Sequence, residues 1–282
     1  MTAPKATVLL PTTGDRGPLL RHSVASVLAQ TVTELELFIV GDGVDDGTRA
    51  VIEELVAADG RVRFVDHPKH ERRGEPRRHE LLTEQASGAI VAYLCDRDLW
   101  LPTHLAELDR CLADADFAHT LRFRTDDEGF RFVHTADVAG SDRRRSTSAP
   151  TLVPLSFAGH TLDAYRRLPH GWRTTPAGTA TDRYMWEQFL EQPWVRVAAS
   201  PMPTVLYFRR GDHPGLSSAE RLELLEAWAP RIASAEAADR VQREVLVALW
   251  AAWREGEIRE QHHRAQPWRA GPRALRRRLA GR

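Results

Sequence analysis

The stretch Ala89-Ile90-Val91-Ala92-Tyr93-Leu94-Cys95-Asp96-Arg97-Asp98-Leu99-Trp100-Leu101-Pro102 decides how the rest of the chain is read. Its apolar run, Ala89 to Leu94, is short enough for a strand and apolar on both faces. That predicts a strand buried between helix layers. Within two residues the run gives way to Asp96 and Asp98 around Arg97. Charge is costly to bury, so an acidic cluster at a strand's C-terminal end belongs at the rim of a sheet. The rim is where open α/β sheets bind ligands. Two carboxylates there suit a divalent cation or the hydroxyls of a ribose. The plainer reading is a strand-to-helix turn with solvated Asp side chains. Pro102 suits the first turn of the helix that follows.

Toward the N-terminus the same alternation repeats. Ala6 to Leu10 reads as a strand ending in Pro11-Thr12-Thr13-Gly14-Asp15-Arg16, and Pro18 opens a helix with Leu19, Leu20, Val24, Val27 and Leu28 at helical spacing. Leu35 to Val40 is a second strand, ending in Gly41-Asp42-Gly43. Asp46 or Thr48 caps the next helix, Arg61 to Val65 is a third strand, and a charged loop from His67 to Arg77 leads to a helix from Arg78 to Ala86. Strand and helix in turn predict a parallel sheet covered on both faces. No G-x-G-x-x-G follows the first strand, so the dinucleotide-binding fingerprint is absent.

Beyond Pro102 the pattern changes. Phe117 to Arg124 and Phe130 to Val138 read as paired strands around Asp126-Asp127-Glu128-Gly129, and Thr151 to Phe157 as another strand. A helix spans Leu162 to Arg167, and Asp182 begins one with Met185, Trp186, Phe189 and Leu190 on one face. Strands near Val195 to Ala198 and Thr204 to Arg209 follow. After Ser217 come helices with stripes through Leu222, Leu225 and Trp228, then Val241, Val245, Leu249 and Trp253. The end carries Arg269, Arg273, Arg276, Arg277, Arg278 and Arg282.

Composition narrows the class. At 282 residues, 42% hydrophobic and 28% charged, the chain suits one large soluble domain or one domain with an appendage. Its 39 basic and 39 acidic residues cancel, so no whole-molecule field points to nucleic acid. Cys95 and Cys111 make no zinc spacing or disulfide framework. No apolar run approaches the ~20 residues of a membrane span, and M-T-A-P-K lacks a signal peptide's apolar core. The expected location is the cytoplasm. The Arg-rich tail is either a solvated face or a peripheral contact with anionic lipid at the inner membrane face.

Several segments together resemble the family 2 glycosyltransferases of the GT-A fold. They are Pro11-Thr12 with Arg16, Ser26-Val27-Leu28-Ala29-Gln30-Thr31, Glu36 followed by Asp42-Gly43 and Asp46, and Tyr93 to Pro102. Gly171-Trp172-Arg173-Thr174-Thr175-Pro176 with Asp182, and Tyr207 to Ser217, agree. The resemblance covers roughly residues 6 to 218. It implies an α/β fold of GT-A type, with a Rossmann-like, mostly parallel sheet flanked by helices and a helical C-terminal extension. The domain would span 1–218, its nucleotide-binding half about 1–115 and its acceptor-side half about 116–218, with the extension and its Arg-rich tail at 219–282.

The resemblance also implies roles. Pro11, Thr12, Arg16, Asp42, Arg78, Asp96 and Arg97 would bind a nucleotide sugar, with a UDP-, GDP- or dTDP-sugar as donor. Asp96, Asp98 and His213 would hold Mn2+ or Mg2+, and Asp182 would be the catalytic base. The acceptor would be a saccharide, a lipid-linked glycan or a small molecule. The chain departs from the family pattern at Gly41, where an acidic residue is usual, and at Arg97, where many relatives carry another Asp.

Sugar transfer from a nucleoside diphosphate makes demands that these residue types meet. The leaving diphosphate gains charge as the anomeric bond breaks, so a metal or Arg must stabilise it. The anomeric carbon becomes oxocarbenium-like. If configuration inverts, a base takes the acceptor proton, worth ~10²–10⁴-fold in rate. Asp182 also suits a plain helix cap, and Asp163 is the next candidate base. A nucleotidyltransferase or a non-catalytic sugar-nucleotide-binding protein are the alternatives.

Overall fold

A computed structural model describes residues 3–126, 129–131, 138–140, 153–208 and 215–265. Short apolar runs become β1 (Ala6–Gly14), β2 (Leu35–Val44), β3 (Val62–Val65) and β4 (Ile90–Tyr93). Helices α1 (Gly17–Leu28), α2 (Asp46–Ala58) and α3 (Glu75–Glu84) alternate with them. Strand β1 pairs in parallel with β2 on one side and β4 on the other, and β2 pairs in parallel with β3. The strand order β3-β2-β1-β4 reverses direction between β1 and β4, and such a reversal opens a crevice at the strands' carboxyl ends.

The second half of the sheet is mixed. It is built from β5 (Leu99–Trp100), β6 (Phe117–Asp126), β7 (Gly129–Arg131), β8 (Ala158–Thr161) and β9 (Val197–Leu206). Strand β8 lies antiparallel to β4 and β6, β6 runs parallel to β9, and β5 closes the order as β4-β8-β6-β9-β5. Helix α4 (His104–Leu112) packs on β6, β8 and β9, and α5 (Leu162–Arg166) on β8. Then come α6 (Thr181–Leu190), α7 (Ser218–Trp228) and the long α8 (Ala235–Ala265).

Several boundaries differ from the sequence reading, each for a local reason. The residue capping α2 is Asp45, whose carboxylate accepts the Thr48 N–H at 2.7 Å. The Thr48 hydroxyl instead donates to the Gly14 carbonyl and accepts the Gly17 N–H, tying α2 to the end of β1. Helix α3 starts at Glu75, three residues before Arg78, because Gly74 takes a positive φ of 65° and Pro76 fits the first turn. Pro102 lies ahead of α4, which begins at His104. Leu155–Phe157 is a short 3-10 turn, and the strand begins after it. The two strands expected around Pro201 and Pro203 are one, because β5 pairs only Val205 and Leu206 and leaves the proline stretch without a partner on that side.

Two hydrophobic clusters hold the molecule. The larger fills the space between sheet and helices, and includes Tyr93, Phe117, Trp172, Trp186 and Phe189. The second joins Leu99, Leu101, Phe123, Leu206 and Phe208 to Leu225, Trp228, Val241 and Val245, so the C-terminal helices dock on the sheet through apolar burial. Trp253 is not on that buried stripe. It is 54% exposed and stacks on Trp250 with ring centroids 4.8 Å apart. No helix among the described residues is long and apolar enough to cross a membrane. The Arg-rich tail, and with it the expected lipid contact, lies outside the described residues.

Candidate active site

A cleft of about 310 Å³ opens where β1, β2 and β4 end. It is lined by Pro11, Thr12, Arg16, Asp42, Arg78, Asp96, Arg97 and Asp182, gathered from positions far apart in the chain. The Thr12 hydroxyl donates to Asp96 Oδ2 at 3.1 Å, bridging the reversal point between β1 and β4. Of the residues singled out from the sequence, Asp98 is absent from the lining, and His213 falls outside the described residues.

Asp42 sits on the β2 end, buried, and the loop after β3 wraps it. Its Oδ1 accepts the His70 N–H at 2.6 Å and its Oδ2 accepts Lys69 Nζ. The wrap needs Gly43: its φ is +70°, and a Cβ there would lie 2.6 Å from the Lys69 Cβ. Gly41 is less constrained: a Cβ there would come 3.0 Å from the Asp66 and Phe64 side chains. An acidic side chain, which the resemblance leads one to expect here, would need those two side chains to shift.

Arg78 is the most unusual group in the cleft. It is only 4% exposed, and its Nη2 donates to the Arg73 carbonyl at 2.9 Å. Its Nε and Nη1 are buried without a partner. The guanidinium lies 4.7 Å from the Trp172 ring centroid. Burial pulls its pKa below the usual value, against the opposing pull of Asp182 and Glu75. The Arg97 Nε and the Arg16 Nη1 are likewise buried and unpartnered. An unmatched buried donor costs about 1–3 kcal/mol, and more when charged. Three guanidinium groups with unpartnered donors line one cleft, a residue set suited to an anion.

Asp182 occupies the first turn of α6, one residue beyond Thr181, with Ala180 as the cap position. It is therefore not the cap of that helix. Its Oδ2 accepts the Leu155 N–H at 3.1 Å, which orients the carboxylate. Burial pushes its pKa up, and Arg78, Arg73 and Arg97 pull it back in part. The helix beneath is anchored by Trp186, whose Nε1 donates to the Val153 carbonyl at 2.8 Å. The alternative base, Asp163, is exposed in the first turn of α5 and does not line the cleft.

The approach to Asp182 is braced by a buried polar chain. Trp172 Nε1 donates to the Tyr93 hydroxyl at 3.0 Å, and Tyr93 is 2.7 Å from His160 Nε2. The other ring nitrogen, Nδ1, is 2.9 Å from the Thr161 carbonyl, which can only accept. The proton therefore sits on Nδ1, and Tyr93 donates to Nε2. Burial pushes the His160 pKa down to about 4, so the ring is neutral and structural.

Asp98 is placed differently from Asp96. It is fully buried, its Oδ1 accepts the Phe208 N–H at 3.1 Å, and its Oδ2 accepts the Ser156 hydroxyl. Burial pushes its pKa up to about 6. Asp96 and Asp98 thus do not converge, and the guanidinium between them occupies the cleft. Of the expected Mn2+ or Mg2+ ligands, Asp98 is turned to Ser156 and Phe208, and His213 lies outside the described residues. Among the described residues no group of three or more His, Cys, Asp or Glu side chains is placed to hold a metal. Sequence reasoning missed Lys69, Arg73 and Cys95, which also line the cleft. The first two sit in the loop recognised only as charged.

Comparison with known proteins places this cleft in a family. The model of the Glycosyl transferase family 2 matches residues 7–167, more than half of the chain. The chain belongs to glycosyl transferase family 2. A curated relative is the GalNAc(5)-diNAcBac-PP-undecaprenol beta-1,3-glucosyltransferase of Campylobacter jejuni, 29% identical over 116 residues. That match takes in 41% of this chain and 37% of the relative, so the chain spans well under half the length of that protein. Among solved structures, the mannosyltransferase PcManGT from Pyrobaculum calidifontis, in complex with GDP-Man and Mn2+, superposes with a TM-score of 0.53 at 17% identity. The match covers 89% of this chain and 76% of that one. S. aureus TarS 1-349 in complex with UDP-GlcNAc gives 0.55 at 15% identity, over 86% of this chain and 71% of that one. At these identities the likeness shows the fold alone. The fold is of GT-A type, as the strand order and the second mixed half-sheet suggest on their own.

Proposed function

We propose that the protein is an inverting glycosyltransferase that moves a sugar from a nucleoside-diphosphate sugar to an acceptor hydroxyl, with Asp182 as the base. The observation that carries this reading is the gathering of Asp42, Asp96, Arg78, Arg97 and Asp182 into one cleft at the reversal point of the sheet. Family membership and the nucleotide-sugar ligands of the two structural neighbours support it.

The roles follow from chemistry. Thr12, Asp42 and Asp96, at the strand ends, take the base and ribose of the donor. The cationic side chains take the diphosphate and stabilise the charge it gains as the anomeric C–O bond breaks. The acceptor oxygen bonds to the anomeric carbon from the opposite face while its proton passes to the Asp182 carboxylate. A carboxylate with a raised pKa is the stronger base, and orientation by the Leu155 N–H limits the reorganisation it must undergo. The name of the Campylobacter jejuni relative makes lipid-linked glycans the first acceptors to try.

The experiment is a panel of UDP-, GDP-, dTDP- and CDP-hexoses, with release of nucleoside diphosphate as the readout. Release from at least one donor, accelerated by an acceptor, is expected. Donors bound but never turned over would instead favour a non-catalytic sugar-nucleotide-binding protein.

A further inference from the structure

The side chains that line the cleft carry a positive surplus suited to a diphosphate. Arg16, Lys69, Arg73, Arg78 and Arg97 face Asp42, Asp96 and Asp182, a surplus of two positive charges. A nucleoside-diphosphate sugar carries two negative charges on its diphosphate. Arg16, Arg78 and Arg97 each also keep a buried donor with no partner. Of the two carboxylates that could bring in a divalent cation, Asp98 is already occupied and Asp96 lies beside a guanidinium. Both Asp98 oxygens hold hydrogen bonds outside the cleft, and Asp96 is bonded to Thr12 with the Arg97 Nη1 3.8 Å from its Oδ1. A cation placed between Asp96 and Asp98 would also meet the repulsion of that guanidinium.

We propose that Arg97, together with Arg78 and Arg16, takes the place of a divalent cation at the donor diphosphate, so that donor binding and sugar transfer need no metal. This rests on the donor reading given above. A fixed guanidinium offers directed N–H groups to phosphate oxygens and remains charged throughout the pH range of enzymes. It stabilises the leaving diphosphate as its bond to the anomeric carbon breaks, and the electron pair of that bond stays on the phosphate oxygen. Arg97 is suited to the task by its place directly at the β4 end, with side-chain exposure of 24% and its Nε already desolvated.

The test is calorimetric titration of UDP, GDP, dTDP and CDP into the full chain, in EDTA and in millimolar Mn2+ or Mg2+. At least one diphosphate is expected to bind with the same affinity, within about threefold, under all conditions. Arg97→Ala is expected to weaken that binding about ten- to hundredfold in EDTA, the loss of a hydrogen-bonded charge contact. If Arg97→Ala does not fold, Arg97→Gln, which keeps the length and loses the charge, serves for the same comparison. Binding that appears only with a metal would overturn the proposal while leaving the donor reading intact. Binding in EDTA that is unchanged by either variant would overturn it too. No binding of any diphosphate, with or without metal, would remove both.

Discussion

Asp96 and Asp98 stand two residues apart and live in different surroundings. The region around Asp96 is an open cleft in which cations outnumber carboxylates and buried donors lack partners. The region around Asp98 is a closed seam where β4, β9 and the Leu155–Phe157 turn meet, and both of its oxygens are satisfied. Buried polar groups are normally paired, so the unpaired donors of the cleft arginines call for an explanation, and a bound anion supplies one. By that measure Asp98 holds the fold together, and the side chains around Asp96 are set for a ligand.

The sharpest way to break this contrast is at Asp182. Asp182→Asn keeps the shape and can still accept the Leu155 N–H, so stability should change little, yet the proton acceptor is gone. Turnover is expected to fall about 10²-fold or more with donor affinity unchanged. A variant that is destabilised but fully active once folded would make the carboxylate structural. In the parent, the carboxyl's raised pKa places the acid limb of kcat/KM above the ordinary aspartate range, with activity rising as pH increases through it.

Arg78 comes next. Arg78→Met fills similar space on the Trp172 face and removes a buried charge whose donors are only partly used. Diphosphate affinity should fall about ten- to hundredfold. Because Arg78 compensates the buried Glu75 and Asp182 carboxylates, the unliganded protein should also lose about 3 kcal/mol, as measured by denaturant unfolding. A large loss of stability with affinity intact would move Arg78 to the structural side of the comparison.

The smallest effect belongs to Asp98. Its folded pKa of about 6 lies above the ordinary 3.8, so between those values the folded state binds more protons than the unfolded one. Stability should therefore fall as pH rises from about 4 to about 6 on this group's account. Asp98→Asn keeps an acceptor for the Phe208 N–H and cannot titrate. Its unfolding free energy should be flatter with pH across that window, and diphosphate affinity should stay within about threefold of the parent. An unchanged pH slope would mean that Asp98 is ionised throughout.

Much of this was legible in the sequence, and what was not has a common cause. The alternation that builds β1 to β4 is local, written in runs such as Ala6 to Leu10 and Leu35 to Val40, and it brings Thr12, Asp42 and Asp96 to the rim. The sealing of Asp98 is not local. Its partners are Ser156 and Phe208, 58 and 110 positions away, and no nearby residue announces them. Lys69 illustrates the intermediate case. A charged loop was evident, but only the positive φ of Gly43, which lets the loop lie against β2, selects which of its cations reaches Asp42. The continuity of β9 through two prolines depended in the same way on how short its neighbour β5 is.

The arginine side chains of this cleft are proposed as the seat of the donor diphosphate. The most direct measurement is a crystal structure with the best-binding nucleoside diphosphate, grown in EDTA. Phosphate oxygens are expected at about 2.7–3.2 Å from the Arg78 and Arg97 guanidinium groups. A nucleotide seated with its phosphates away from these side chains would contradict it.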